Sequence, residues 1–214
     1  MKICLLSTDD LFLSDSKFNA ALASIPFGDS DKKDLLKIKN RRSACDSLLA
    51  RAALRRICDQ CDFGNIEKTE TGKPYFSKKD APFFSLSHTK GIAAAATCDR
   101  CDGLVGIDVE AIRIDRKLND IADRFFTPEE LARYQKGETP ESFYSIWTEK
   151  EARVKLFGRE LASELSNSEK EALYFYRYKV TFAGTHAILC VAFEKKQEEI
   201  IIIKDDGFHI EKII

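Results

Sequence analysis

Gly106-Ile107-Asp108-Val109-Glu110 is the stretch from which the rest of the chain can be ordered. In an extended strand, alternate side chains share a face. Ile107 and Val109 then face a core, while Asp108 and Glu110 point together to the other side. Two carboxylates on one face repel unless a cation lies between them. Hard oxygen ligands suit Mg²⁺, above all where phosphates complete its shell. A strand end with two solvated acids accounts for the same pattern without a metal.

Upstream of this strand, Pro82–Ser87 and Ile92–Cys98 read as two further strands joined through His88-Thr89-Lys90-Gly91. Before them come the turn-rich stretch 70–76 and a helical pattern over residues 31–57. The N-terminus, residues 2–7, reads as a strand, followed by a polar helical stretch to about Phe27. Downstream, a charged helix is expected over 115–124. Thr127-Pro128-Glu129-Glu130 and Thr139-Pro140 each look like a helix start, and the second helix should stop at Gly158. Strands follow at 173–182 and 185–193, and a final hairpin is expected between Ile200–Lys204 and Phe208–Ile213. Both halves thus run from a long helix to antiparallel strands, which predicts an α+β fold.

The 214 residues and 44% hydrophobic content suffice for a large core. Lys+Arg (34) nearly balances Asp+Glu (35), which disfavours a basic nucleic-acid binder. The balance is not local. Between Asp31 and Arg56 there are nine basic residues against three acidic ones. No stretch is long and apolar enough to span a membrane, so a cytoplasmic protein is expected. The seven cysteines are then expected as reduced thiols.

Three further motifs carry chemistry. Trp147, Glu151 and Lys155 fall on one helical face, where a plain amphipathic helix would be apolar. Leu86-Ser87-His88 ends a strand with two hydrogen-bonding side chains. Lys73 sits between Gly72 and Pro74 as a fixed point charge. There is no Gly-rich phosphate loop.

Taken in order, Gly72-Lys73-Pro74, Leu86-Ser87-His88, Gly106-Ile107-Asp108-Val109-Glu110, Phe126-Thr127-Pro128-Glu129-Glu130 and Trp147-Thr148-Glu149-Lys150-Glu151-Ala152 with Lys155 resemble the Sfp-type 4′-phosphopantetheinyl transferases. The resemblance implies a pseudo-dimer of two similar α/β halves, 1–105 and 106–214, each a long helix on a small, mainly antiparallel sheet. Coenzyme A would lie in the cleft between them. It implies Mg²⁺-dependent transfer of phosphopantetheine to a serine of an acidic, helical apo carrier protein, with release of 3′,5′-ADP. Asp108, Glu110 and Glu151 are implied as metal ligands, with Glu130 either a fourth ligand or simply a helix cap. Glu151 and Lys155 are implied as catalytic. Lys73, Ser87, His88 and Lys150 are implied to contact coenzyme A. A monomer with no nucleic-acid or membrane partner is expected. The family places a basic residue just before the Ser/Thr that opens its Leu-Leu helix. Asp46 stands there in this sequence, so Lys39 and Ser47 are the candidates for the adenine and 3′-phosphate side.

Cys58-Asp59-Gln60-Cys61 and Cys98-Asp99-Arg100-Cys101 leave a different class open, a zinc-stabilised binding module. An inactive relative that only binds coenzyme A or a carrier protein is a third alternative.

Overall fold

Strand β1 (Lys2–Ser7) is apolar from Ile3 to Leu6, and the computed structural model shows both of its faces buried. Ile3 and Leu5 enter one core, Cys4 and Leu6 another. The structure describes residues 1–7, 14–24, 28–58, 61, 63, 66–159 and 172–213.

Helices α1 (Asp15–Ser24), α2 (Asp29–Leu36) and α3 (Arg41–Ile57) follow. The far end of the polar stretch expected to reach Phe27 lies outside the described residues. The pattern over 31–57 is divided in two. The Asn40 side chain accepts the Ser43 N–H at 3.0 Å and caps α3, so the helix restarts at Arg41. Strands β2 (Ile66–Lys68) and β3 (Pro74–Phe76) form a small hairpin across the turn-rich stretch. Then come β4 (Phe83–Thr89), β5 (Ile92–Cys98) and β6 (Val105–Ala111).

Three helices follow: α4 (Leu118–Phe125), α5 (Pro128–Gln135) and α6 (Pro140–Phe157). Thr127 and Thr139 both form capping boxes, and Gly158 ends α6 in the left-handed conformation at φ 63°. The chain closes with β7 (Tyr174–Phe182), β8 (Thr185–Phe193), β9 (Ile201–Lys204) and β10 (His209–Ile213).

The architecture is α+β. One sheet has the order β4-β5-β1-β9, the other β10-β7-β8-β6. Ile3, Leu5, Ala94 and Ala96 of the first sheet meet Ile107, Val109, Leu189 and Val191 of the second in a shared core. Helix α3 covers the outer face of the first sheet, and α6 that of the second, over Cys190 and Ala192.

The expected C-terminal hairpin does not form. β9 pairs parallel with β1, and β10 pairs antiparallel with β7. The Asp205-Asp206-Gly207 turn therefore joins strands of two different sheets. Asp205 accepts from Arg56 at 2.6 Å and from the Ser7 N–H at 3.4 Å, which directs the chain to β1.

The two C-x-x-C pairs belong to different parts of the fold. Cys58 follows the last turn of α3, and the Cys61 N–H donates to its carbonyl at 3.3 Å. That turn brings the two Cα atoms to 5.5 Å and sets the two sulfurs side by side. Cys98 lies in the core between the sheets, while Cys101 is exposed. Among the described residues no three His, Cys, Asp or Glu side chains are gathered as a ready-made metal site.

Candidate active site

Helix α6 approaches β6 so closely that only glycine fits at position 106. A Cβ there would stand 2.0 Å from the Ala152 carbonyl oxygen. This packing brings Glu151 and Lys155 over the strand face that carries Asp108 and Glu110. The opposite face of β6, with Ile107 and Val109, is fully buried as its alternation requires.

Lys155 Nζ donates to Asp108 Oδ1 at 2.6 Å and to Ser87 Oγ at 2.8 Å. Ser87 Oγ donates to the same Asp108 oxygen at 2.9 Å. Asp108 Oδ2 is buried with no partner. Thr89 Oγ1 donates to Glu110 Oε2 at 3.4 Å. The Glu151 carboxylate makes no hydrogen bond or ion pair with the described residues.

The carboxylates feel one another. Burial and then the Asp108 charge push the Glu110 pKa up to about 7, with Lys155 and Arg116 opposing. The same two causes raise Glu151, opposed by Lys155. Three hard oxygen donors with excess negative potential, one with an orphaned buried oxygen, suit a divalent cation. His88, on the next residue of β4, presents an exposed ring. Desolvation within the site, then the cations Lys155 and Arg51, push its pKa down to about 4, so the ring is neutral at pH 7.

Beside Lys155 runs a cleft of about 240 Å³ lined by Thr71, Pro74, Phe84, Leu86 and Val154. Lys73 lines it too, donating to the Leu156 carbonyl at 2.6 Å and so satisfying one of the last carbonyls of α6. Burial lowers its pKa to about 8.

Other residues read from the sequence are committed elsewhere. Lys150 is buried and donates to Glu130 at 3.0 Å. Glu130 also accepts the Thr127 N–H at 2.8 Å, so its carboxylate serves both the cap and Lys150. Trp147 packs on Phe125 and Phe143 rather than lining the cleft. Ser47 lies within α3 and accepts from Arg51 at 2.9 Å. Lys39 is exposed before the start of that helix.

Two groups were not singled out by the sequence. Arg51 holds Asp31 at 2.5 and 2.7 Å while acting on His88. Glu149 accepts from both Arg133 and Arg177 beneath α6. Glu149 lies in a run of mixed charge and Arg51 in a basic helix, where nothing local marks one ion as buried.

With this geometry in view, the family model described as the 4′-phosphopantetheinyl transferase superfamily matches residues 104–210, half of the chain. The chain belongs to this superfamily. The matched region holds Asp108, Glu110, Glu130, Lys150, Glu151 and Lys155. Among similar proteins, the 4′-phosphopantetheinyl transferase AcpT of Salmonella typhi is 39% identical over 93 residues, covering 42% of this chain and 47% of that protein. The 4′-phosphopantetheinyl transferase pptA of Paxillus involutus is 27% identical over 209 residues, covering 86% and 77%. The 4′-phosphopantetheinyl transferase psf-1 of Bacillus pumilus is 35% identical over 106 residues, covering 48% and 43%. The chain thus spans about half the length of the AcpT and psf-1 proteins it matches. The AcpT match is local, whereas the pptA match, over 86% of this superfamily member, also takes in the region of Lys73, Ser87 and His88. No helix of the described residues is long and apolar enough to cross a membrane.

Proposed function

We propose that the protein transfers the 4′-phosphopantetheine group of coenzyme A to a serine hydroxyl of an apo carrier protein. It releases 3′,5′-ADP and uses Mg²⁺ held by Asp108, Glu110 and Glu151. The observation that carries this reading is Asp108, held by Lys155 at 2.6 Å with one buried oxygen left unpartnered, whose charge acts on both Glu110 and Glu151.

When bound, the cation offsets the charge of the pyrophosphate. The serine oxygen attacks the phosphorus that carries pantetheine, and the bond from that phosphorus to the bridging oxygen of 3′,5′-ADP breaks. Glu151, which makes no hydrogen bond with the described residues, takes the serine proton; its proton affinity is raised in the metal-free chain and would fall when it holds the cation. Lys155 supplies the positive charge that meets the departing phosphate. His88, neutral at pH 7, orients a phosphate oxygen by donating from its ring, and Lys73 adds a cation at the cleft wall. Glu130 and Lys150 brace α5 against α6 and do not touch the reacting groups.

The chain reads as two related units, 1–105 and 106–214, each a long helix on a sheet, with β9 of the second unit completing the sheet of the first, in a cytoplasmic monomer. Coenzyme A lies at their seam. The carrier docks at the 111–126 connection, where Ile114 is 84% exposed beside Arg116 and Lys117. That pairing of an apolar tip with cations suits an acidic helix.

The test is mass spectrometry of an apo carrier protein incubated with coenzyme A, Mg²⁺ and the protein. The carrier should gain the phosphopantetheine mass, and Asp108→Ala or Glu151→Ala should abolish the gain. Full activity in both variants would sink the assignment.

A further inference from the structure

Strand β4 carries hydroxyls on alternate residues: Ser85, Ser87 and Thr89. Each accepts a backbone N–H from β6. Ile107 donates to Ser85 Oγ at 3.1 Å, Val109 to Ser87 Oγ at 3.2 Å and Ala111 to Thr89 Oγ1 at 3.0 Å. The offset is 22 residues in every case, so the two strands run side by side in the same direction. No backbone ladder joins them. The hydroxyls stand where a parallel neighbour would place its carbonyls.

Ser87 does more than its two companions. A hydroxyl has one proton and two lone pairs. Ser87 gives its proton to Asp108 Oδ1 and accepts from both Val109 N and Lys155 Nζ. Its hydrogen-bonding capacity is therefore used up inside the protein. Ser85 has the same place in the seam but faces Gly106, which offers no carboxylate.

We infer that Ser87 is a positioning residue that fixes Asp108 and Lys155 relative to one another, and not a contact of coenzyme A as the sequence resemblance implied. The inference rests on the proposed transfer for its kinetic readout and only on the proposed metal site at Asp108 for its Mn²⁺ readout.

The experiment compares Ser87→Ala, Ser87→Thr and Ser85→Ala with the unaltered protein. Mn²⁺ affinity is read by electron paramagnetic resonance, coenzyme A affinity by calorimetry, and kcat and KM by carrier modification. Ser87→Ala should weaken Mn²⁺ binding and lower kcat by about 10–100-fold, as loss of an outer partner of a metal ligand does. Its coenzyme A affinity should stay within about twofold, because no contact to that ligand is removed. Ser87→Thr, which keeps the hydroxyl, should recover most of the loss. Ser85→Ala should leave kcat and Mn²⁺ affinity near those of the unaltered protein. If Ser87→Ala does not fold, Ser87→Cys takes its place, keeping bulk while weakening the hydrogen bonds.

A rise in the coenzyme A dissociation constant with kcat and Mn²⁺ affinity unchanged would overturn the inference. So would equal losses in Ser85→Ala and Ser87→Ala, which would make the row structural only. Absence of any transfer by the unaltered protein would instead overturn the proposed function. The Mn²⁺ comparison would still decide the role of Ser87.

Discussion

The Ala152 carbonyl of α6 lies so near Gly106 of β6 that a Cβ on Gly106 would meet it at 2.0 Å, and would meet Leu156 N at 2.6 Å. Neither neighbour is a flexible side chain, so the helix itself must move. Gly106→Ala is expected to destabilise the protein by about 3 kcal/mol, the upper part of the usual range for overpacking. Thermal melting checks this. Activity should fall further than stability explains, because the shift carries Glu151 and Lys155 away from Asp108.

Glu110 gives a pH dependence of definite sign. Its carboxyl ionises near 4.5 in an unfolded chain and near 7 in the folded one. Between those values the folded state binds more protons, so the Glu110 contribution to stability falls as pH rises from about 4.5 to 7. In metal-free protein, the stability of Glu110→Gln relative to the unaltered chain should therefore improve across that window. Urea melts at several pH values measure it, and a flat difference would contradict the raised carboxyl.

His88 should titrate near pH 4 in a nuclear magnetic resonance experiment on its ring protons. After desolvation, the charge of Lys155 is the next cause of that low value. Lys155→Met should move the His88 titration upward, since one repelling cation is gone. No movement would mean that the two side chains do not sense one another.

Glu149 is expected to matter for stability and not for chemistry. It is buried, while its partners Arg133 and Arg177 are partly exposed, so losing these charge-assisted hydrogen bonds costs about 1.5–3 kcal/mol. Glu149→Gln should lower the melting temperature by roughly 3–12 °C, taking about 2–4 °C per kcal/mol for a chain of this size. The residual folded protein should keep its KM for coenzyme A.

Signals that act within one element are legible in the sequence. Thr127 and Thr139 announced capping boxes, Gly158 announced a helix stop, and the alternation at 106–110 placed Asp108 and Glu110 on one face. The partners of β9 and β10 were not legible. Two apolar runs around Asp205-Asp206-Gly207 look like a hairpin, and nothing nearby says that the edge of β1 competes for the first of them. The same limit hid Glu149 and Arg51, whose meaning comes from ion-pair partners 28 and 20 residues away. Ser87 was noticed, but its strand spacing could not show that Val109, Asp108 and Lys155 would take all its bonds.

The parallel pairing of β9 with β1 has a consequence for how the chain comes together. The edge of β1 that β9 fills waits for a segment about two hundred residues further along the chain. Until then a nascent chain carries an open, apolar strand edge that invites wrong pairing. Closing the N-terminal sheet is thus a late, long-range event. Two fragments split before β6 should recombine only when the C-terminal piece supplies Ile201–Lys204.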